Sequence, residues 1–373
     1  MMSIENGDRN NIFDFMSAIG IIFVVLGHYY QPNYLFYPAY AFHMALFLFV
    51  SGYFSKIASG IKQQGVMILK KIRTQLIPYF ALNILFGLIT VCLGYYEIHL
   101  GSKLNWQSMF ITPFGRGDQF RLYLASWFLI TLFFINVFAI LIYTGHKKVD
   151  IGLAIYFAII SLILITKYLR PEDSIFSIYS NFGIRVLLGF LFFSVGRMFR
   201  MFEPVLSKFL VKPYMLIVLF LLIDIIRANI GDLTYSILFS DLGQTKGIWV
   251  AFAHIISTLS IISITYILGN YFSLLLKNEA FIYKIGRNSF VIMVWHFSMF
   301  WIINYIFYIF GFVKFSDLSD VYLKVYPEKT WIIYTTMGIL GPMGLGSAFR
   351  RIAGCLSRKV LPHTLKTVFL KKL

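Results

Sequence analysis

Runs of about 20 apolar residues recur from near the start of this chain to within about thirty residues of its end. A run of that length is what a helix needs to cross a hydrocarbon core of about 30 Å. In lipid every backbone N–H and C=O must be satisfied internally, so such runs fold as helices. Taking about 20 residues per span places helices near 12–30, 37–55, 75–96, 122–143, 151–168, 181–199, 213–230, 247–269, 289–311 and 330–349. The expected fold class is therefore all-α: a polytopic integral membrane protein with about ten transmembrane helices. Composition agrees, since 13% of the 373 residues are charged against about 25% in soluble domains. No stretch between the runs is long enough for an ordinary soluble domain. We read 1–349 as one transmembrane domain and 350–373 as a basic tail.

An even number of spans puts both termini on one side, and loop charge says which. Of the 33 Lys and Arg, 22 fall on the N-terminal side, 10 on the opposite side, and Arg185 lies within a span. The positive-inside bias then makes both termini cytoplasmic. This arrangement also accounts for the net charge of +17 without nucleic acid, because basic loops facing an anionic inner leaflet are attracted to its lipid. The tail "FRRIAGCLSRKVLPHTLKTVFLKKL" mixes apolar and basic residues, as a surface-lying segment broken at Pro362 would. The first run lacks a small-residue cleavage site and is expected to stay in the protein. Cys92 and Cys355 stand far apart with no CxxC spacing, so neither a disulfide framework nor a metal site is expected. The longest and most polar loop on the outer side is 97–121; it can touch a ligand outside the membrane, and an ordinary solvated loop is its plainer reading.

Candidate chemistry begins with "IIFVVLGHYY", where His28 arrives as the first apolar run ends. A neutral imidazole takes a proton from a hydroxyl near neutral pH, because its ordinary pKa is about 6.5. Ser17 lies about 20° from His28 on the helical wheel and Asp14 about 40° to the other side, at roughly 16 Å and 21 Å along the axis. The three share a face without touching, which suits a channel, since ionisable groups in a membrane face a cavity or a partner. His43 in "FHMALFLFVSGYF" lies at similar depth, and Ser51 and Gly52 beyond it allow close helix approach. In "KKIRTQLIPYF", Lys70, Lys71 and Arg73 stand before the third span, where they can bind phosphate or simply follow the positive-inside bias. "GRNSFVIMVWHF" opens the ninth span with a helix start that can hold an anion such as an acyl-CoA phosphate, through Arg287 and free backbone N–H groups, or serve as a plain N-cap, and buries His296 about 10 Å farther in. No GxSxG, Walker, HExxH or GxGxxG motif stands in a suitable setting.

Taken together, "FDFMSAIGIIFVVLGH", "FHMALFLFVSGYFSK", "KKIRTQLIP", "SWFLITLFF" and "GRNSFVIMVWH" occur in an order that resembles the acyltransferase 3 family of membrane acyltransferases, especially its fucose 4-O-acetylase-like branch. The resemblance implies transfer of an acetyl or similar acyl group from acyl-CoA, a co-substrate rather than a bound cofactor, to a hydroxyl of a cell-surface or exported glycan. It implies a multi-pass protein of the bacterial cytoplasmic membrane, associated with glycan-synthesis machinery. The family's first-span histidine falls on His28, as general base or acyl carrier. The family usually has Arg or Lys eleven residues earlier, where this chain has Ser17. Its basic cluster is matched by Lys70, Lys71 and Arg73 ahead of Pro78, its WFL tryptophan by Trp127, and its later histidine by His296. Two other classes fit ten spans with buried polar groups: a transporter or flippase of a lipid-linked glycan, and a membrane scaffold for glycan synthesis.

Overall fold

The computed structural model describes residues 10–29, 39–115, 117–168, 175–231 and 248–360. Among them there is no strand, and one isolated bridge joins Gly101 to Phe120. The long helices are α1 (Asn11–Tyr29), α2 (His43–Tyr53), α3 (Ile61–Lys71), α4 (Ile77–Gly94), α6 (Ser126–Ile142), α7 (Lys147–Tyr168), α8 (Ile175–Leu210), α9 (Pro213–Ile230), α10 (Ile248–Leu275), α12 (Ser289–Ile309) and α13 (Pro327–Val360). Two short ones, α5 (Trp106–Phe110) and α11 (Phe281–Arg287), complete the set.

Every stretch expected to span falls on a helix. Six segments among the described residues are long and apolar enough to cross a membrane: 11–29, 61–94, 182–210, 213–230, 249–275 and 289–309. Apolar α2 and α6 are shorter, at 11 and 17 residues. The chain is a multi-pass helical membrane protein, and the full count of ten remains the expectation drawn from sequence. Of the tail, α13 carries the helix on to Val360, whereas Pro362 lies outside the described residues.

Two boundaries differ from expectation. The second span was expected from residue 37, but Ala39–Ala41 form a 3-10 turn and Phe42 leaves helical geometry at φ −141°, so α2 starts at His43. The third was expected from 75, yet α3 runs into α4 through a π-helical turn over Ile72–Leu76. A proline in mid-helix loses one N–H and pushes on the carbonyl four residues back. The wide π turn just before Pro78 relieves that clash, and the Lys, Gln and Leu content of 62–71 favours helix.

Glycines set the closest crossings. A Cβ on Gly52 of α2 would overlap the Phe193 carbonyl of α8, and one on Gly196 of α8 would overlap the Phe49 carbonyl of α2. The two helices thus meet backbone to backbone, the contact small residues permit where lipid provides no hydrophobic drive between helices. Gly286 of α11 approaches the Asp14 carbonyl of α1 equally closely. Helix α1 is central, packing on α2, α10, α11, α12 and α13.

At the lysine-rich end, Arg197 of α8 donates to Asp150 at 2.9 Å, both side chains almost wholly buried. Asp150 also accepts from the backbone N–H groups of Thr144 and Gly145, which satisfies the lone pairs that a buried carboxylate must fill. The loop expected to be solvated is only partly so. Its second half is buried at Gly117, Gln119 and Phe120, and the chain stays buried from Leu122 into α6. Non-helical backbone at membrane depth is tolerated where protein covers it or it lines a cavity. Gly117 makes the inward turn at φ +72°, with its backbone against Trp127 and its carbonyl accepting from Ser126 Oγ at 2.9 Å.

Candidate functional site

His28, in the last turn of α1, and His296, in the second turn of α12, face each other. Their rings stack with centroids 5.3 Å apart and planes 28° from parallel. Phe297 closes one side, its ring 4.6 Å from His28. His296 is wholly buried, and its Nδ1 lies 3.1 Å from the Ile292 carbonyl and 2.9 Å from that of Met293. Carbonyls only accept, so Nδ1 carries the proton, and Nε2 is a lone-pair acceptor without a hydrogen-bond partner. The geometry thus fixes the tautomer of one ring of the pair.

The second ring is held by a residue that the sequence reading missed. The Tyr40 hydroxyl lies 2.9 Å from His28 Nδ1, and the Tyr40 ring also packs at 5.5 Å from His43. His43 is buried one turn of chain away from this bond, and Lys324, from the loop after α12, approaches His28. That loop is tied to the 97–121 segment: Ser319 accepts from Arg121 Nη1 through its carbonyl at 3.3 Å and from the His99 N–H through Oγ at 3.0 Å. In the same loop, Tyr322 packs 6.1 Å from Phe297. Burial raises the Tyr322 phenol pKa, and Asp118 raises it further, so it stays a neutral hydroxyl at neutral pH.

At the lysine-rich end a cavity of about 440 Å³ opens between α2, α3, the π turn, α6 and α8. Lys56, Lys70 and Lys71 line it, with Ser51, Gln75 and Asn136 as polar neighbours. The three lysines enter no salt bridge among the described residues. A second hollow shares Ser55 and Lys56 with it and adds Arg197 and Arg200. Arg73 is exposed and outside the lining. A volume of that size bounded by unpaired ammonium groups suits a polyanion with an apolar or neutral extension.

The remaining expected residues lie elsewhere. Arg287 Nε donates to Asp14 Oδ2 at 2.7 Å, and its Nη2 donates to the Asn278 carbonyl at 3.0 Å. Both side chains are therefore engaged at the α1–α11 junction, away from the lysine cavity. Ser17 is half-buried on α1 and does not line that cavity, whose walls come from other helices. Trp127 is buried, with the Arg185 guanidinium 5.5 Å above its ring and Arg185 Nη2 donating to the Gly115 carbonyl at 2.9 Å. The structure thus joins His28, His296, Tyr40 and His43 at one end and Lys70 with Lys71 at the other.

A helical bundle with six described segments long and apolar enough to cross a membrane, a histidine pair near one end and a lysine-walled cavity near the other, defines a multi-pass helical membrane protein. The family model described as an acyltransferase domain, acyltransferase 3, matches residues 10–346. The chain belongs to that family, and the family implies an acyltransferase. No curated protein and no solved structure gives a significant match.

Proposed function

We propose that this protein is a membrane O-acyltransferase of the bacterial cytoplasmic membrane, with both termini cytoplasmic. It moves an acetyl or similar acyl group from cytoplasmic acyl-CoA to a hydroxyl of a cell-surface or exported glycan. The observation that carries this reading is the pairing of His28 with His296 at the end of the bundle opposite the cavity of Lys56, Lys70 and Lys71. The positive-inside bias assigns the lysine end to the cytoplasm, where acyl-CoA is found, and the histidine end to the outer face, where the glycan hydroxyl is.

In this reading the phosphates of the donor bind Lys70 and Lys71, and the thioester lies at His28. With Nδ1–H donating to the Tyr40 oxygen, His28 Nε2 takes the proton of the acceptor hydroxyl as that oxygen bonds to the acyl carbon. The C–S bond then breaks, and the thiolate leaves with the proton that His28 received. His296 presents a second lone pair beside the same ring, and Lys324 adds positive field near the developing oxyanion. Trp127 keeps the buried loop in place beneath Gly117. Asp14 and Arg287 hold α11 against α1.

The test is transfer of label from radiolabelled acetyl-CoA to the host's surface glycan in membranes containing this protein, wild type against His28→Ala at matched expression. Label that disappears in the variant supports the reading. If wild type transfers no label from acetyl, succinyl or longer acyl-CoA, the enzyme reading fails and glycan transport becomes the better one.

A further inference from the structure

A set of polar side chains stands between the histidine pair and the lysine cavity, and only its foot belongs to either. Gln75, Tyr79 and Asn83 recur every four residues through the π turn and α4, so they climb one side of the helix at about 6 Å per step. Gln119 and Tyr123, from the buried loop and the turn after it, meet that side. Tyr79, Asn83, Gln119 and Tyr123 are each at most 1% exposed. A side-chain bond runs from Gln119 Nε2 to Asn83 Oδ1 at 2.7 Å, and the Tyr79 hydroxyl is placed to bond both side chains. The Tyr123 hydroxyl and the Oε1 atoms of Gln75 and Gln119 are buried with no hydrogen-bond partner.

A buried polar group left unsatisfied costs about 1–3 kcal/mol, and native proteins contain few. Three gathered where the buried loop meets one side of this helix point to a ligand that completes them. A hydroxyl and two amide oxygens, without a charge among them, match a neutral chain that offers both N–H and C=O groups. A phosphate would need cations there, and an alkyl chain would leave every polar atom unsatisfied.

The ends of this ladder locate it. Gln75 at its foot lines the lysine cavity. At its head Phe86, one turn past Asn83, stacks 4.9 Å from Tyr123 and packs 5.1 Å from Trp295, the residue before His296. Gln75 to Phe86 rises about 16 Å, of the order of an extended pantetheine arm. We propose that Gln75, Tyr79, Asn83, Gln119 and Tyr123 bind the two amides of the pantetheine arm and so steer an acyl thioester from the lysine cavity to the histidine pair. This inference rests on the acyltransferase reading above and adds the residues that measure the donor's arm.

The experiment compares acetyl-CoA, S-acetylpantetheine and S-ethyl thioacetate as donors for wild type, Tyr79→Phe and Tyr123→Phe, and follows thermal unfolding of each protein without donor. Each substitution should raise KM about fivefold for the two amide-bearing donors, the effect of one hydrogen bond of about 1 kcal/mol, and leave S-ethyl thioacetate unchanged. Because Tyr123→Phe removes a hydroxyl that has no partner, its donor-free thermal stability should hold or rise. Unchanged KM for the amide donors would overturn the ladder, as would lower thermal stability with an equal loss for all three donors. A wild type inactive with every donor would instead remove the acyltransferase reading and, with it, this ligand.

Discussion

The two ends of the bundle solve opposite problems. At the histidine end the polar groups are few, and neighbours fix them: Tyr40 holds His28, and two backbone carbonyls hold His296. At the lysine end charge is abundant, but it is divided. Arg197 is committed to Asp150, and Arg200 donates to the Tyr53 carbonyl at 3.2 Å, whereas Lys56, Lys70 and Lys71 face an open cavity. The difference teaches where rigidity is needed. A base must be aimed within fractions of an ångström. An ammonium that meets phosphate acts as a compact point charge on a flexible stem.

Substitutions at the two ends should therefore separate into different kinetic constants. The largest expected effect is His28→Ala, which should lower kcat about 10²–10⁴-fold with little change in donor KM, the usual contribution of a positioned general base. A comparable KM increase would instead make His28 a binding residue. Next, Gly196→Val should break the α2–α8 crossing that supports both ends, lowering folding stability by about 1–3 kcal/mol through overpacking. Detergent-solubilised protein should melt at lower temperature, and an unshifted melting curve would show that the helices move apart freely. Third, Lys70→Ala combined with Lys71→Ala should raise KM for acetyl-CoA about tenfold, spare kcat, and weaken the dependence of KM on salt. S-acetylpantetheine, which lacks the nucleotide, should not sense the change. The smallest effect belongs to Tyr40→Phe, a loss of about fivefold in kcat, near the net worth of one hydrogen bond. Equal loss in KM and kcat there would place Tyr40 in substrate binding rather than in aiming His28.

Much of this was legible in the sequence. Apolar run length located the helices, and the "LGH" and "VIMVWH" stretches marked the two histidines that come to face each other. Other parts were hidden for physical reasons. Tyr40 reaches His28 only because α2 starts late and a 3-10 turn swings the phenol across, and no periodicity signals that. Gln119 and Tyr123 sit in a loop that reads as polar and solvated, yet Gly117 turns it inward. Arg287 follows a glycine at what looks like an anion-binding helix start, and its carboxylate partner, Asp14, is 273 residues away. Long-range pairing of this kind is set by how α11 packs on α1, information that no local window contains.

The π turn at Ile72–Leu76 gives the chain one place where it tolerates a loss of length. A π turn is an α-helix carrying one surplus residue, so deleting any one residue of that short stretch would restore a regular helix with better hydrogen-bond geometry. Five residues of π turn sweep about the same angle as four of α-helix, so everything beyond the deletion would keep its facing relative to the lysines before it. The same deletion one turn later, inside regular α4, would rotate everything beyond it by about 100° and turn Asn83 away from the interior. A single-codon deletion is thus absorbed in the π turn and breaks the register of the helix a few residues farther on.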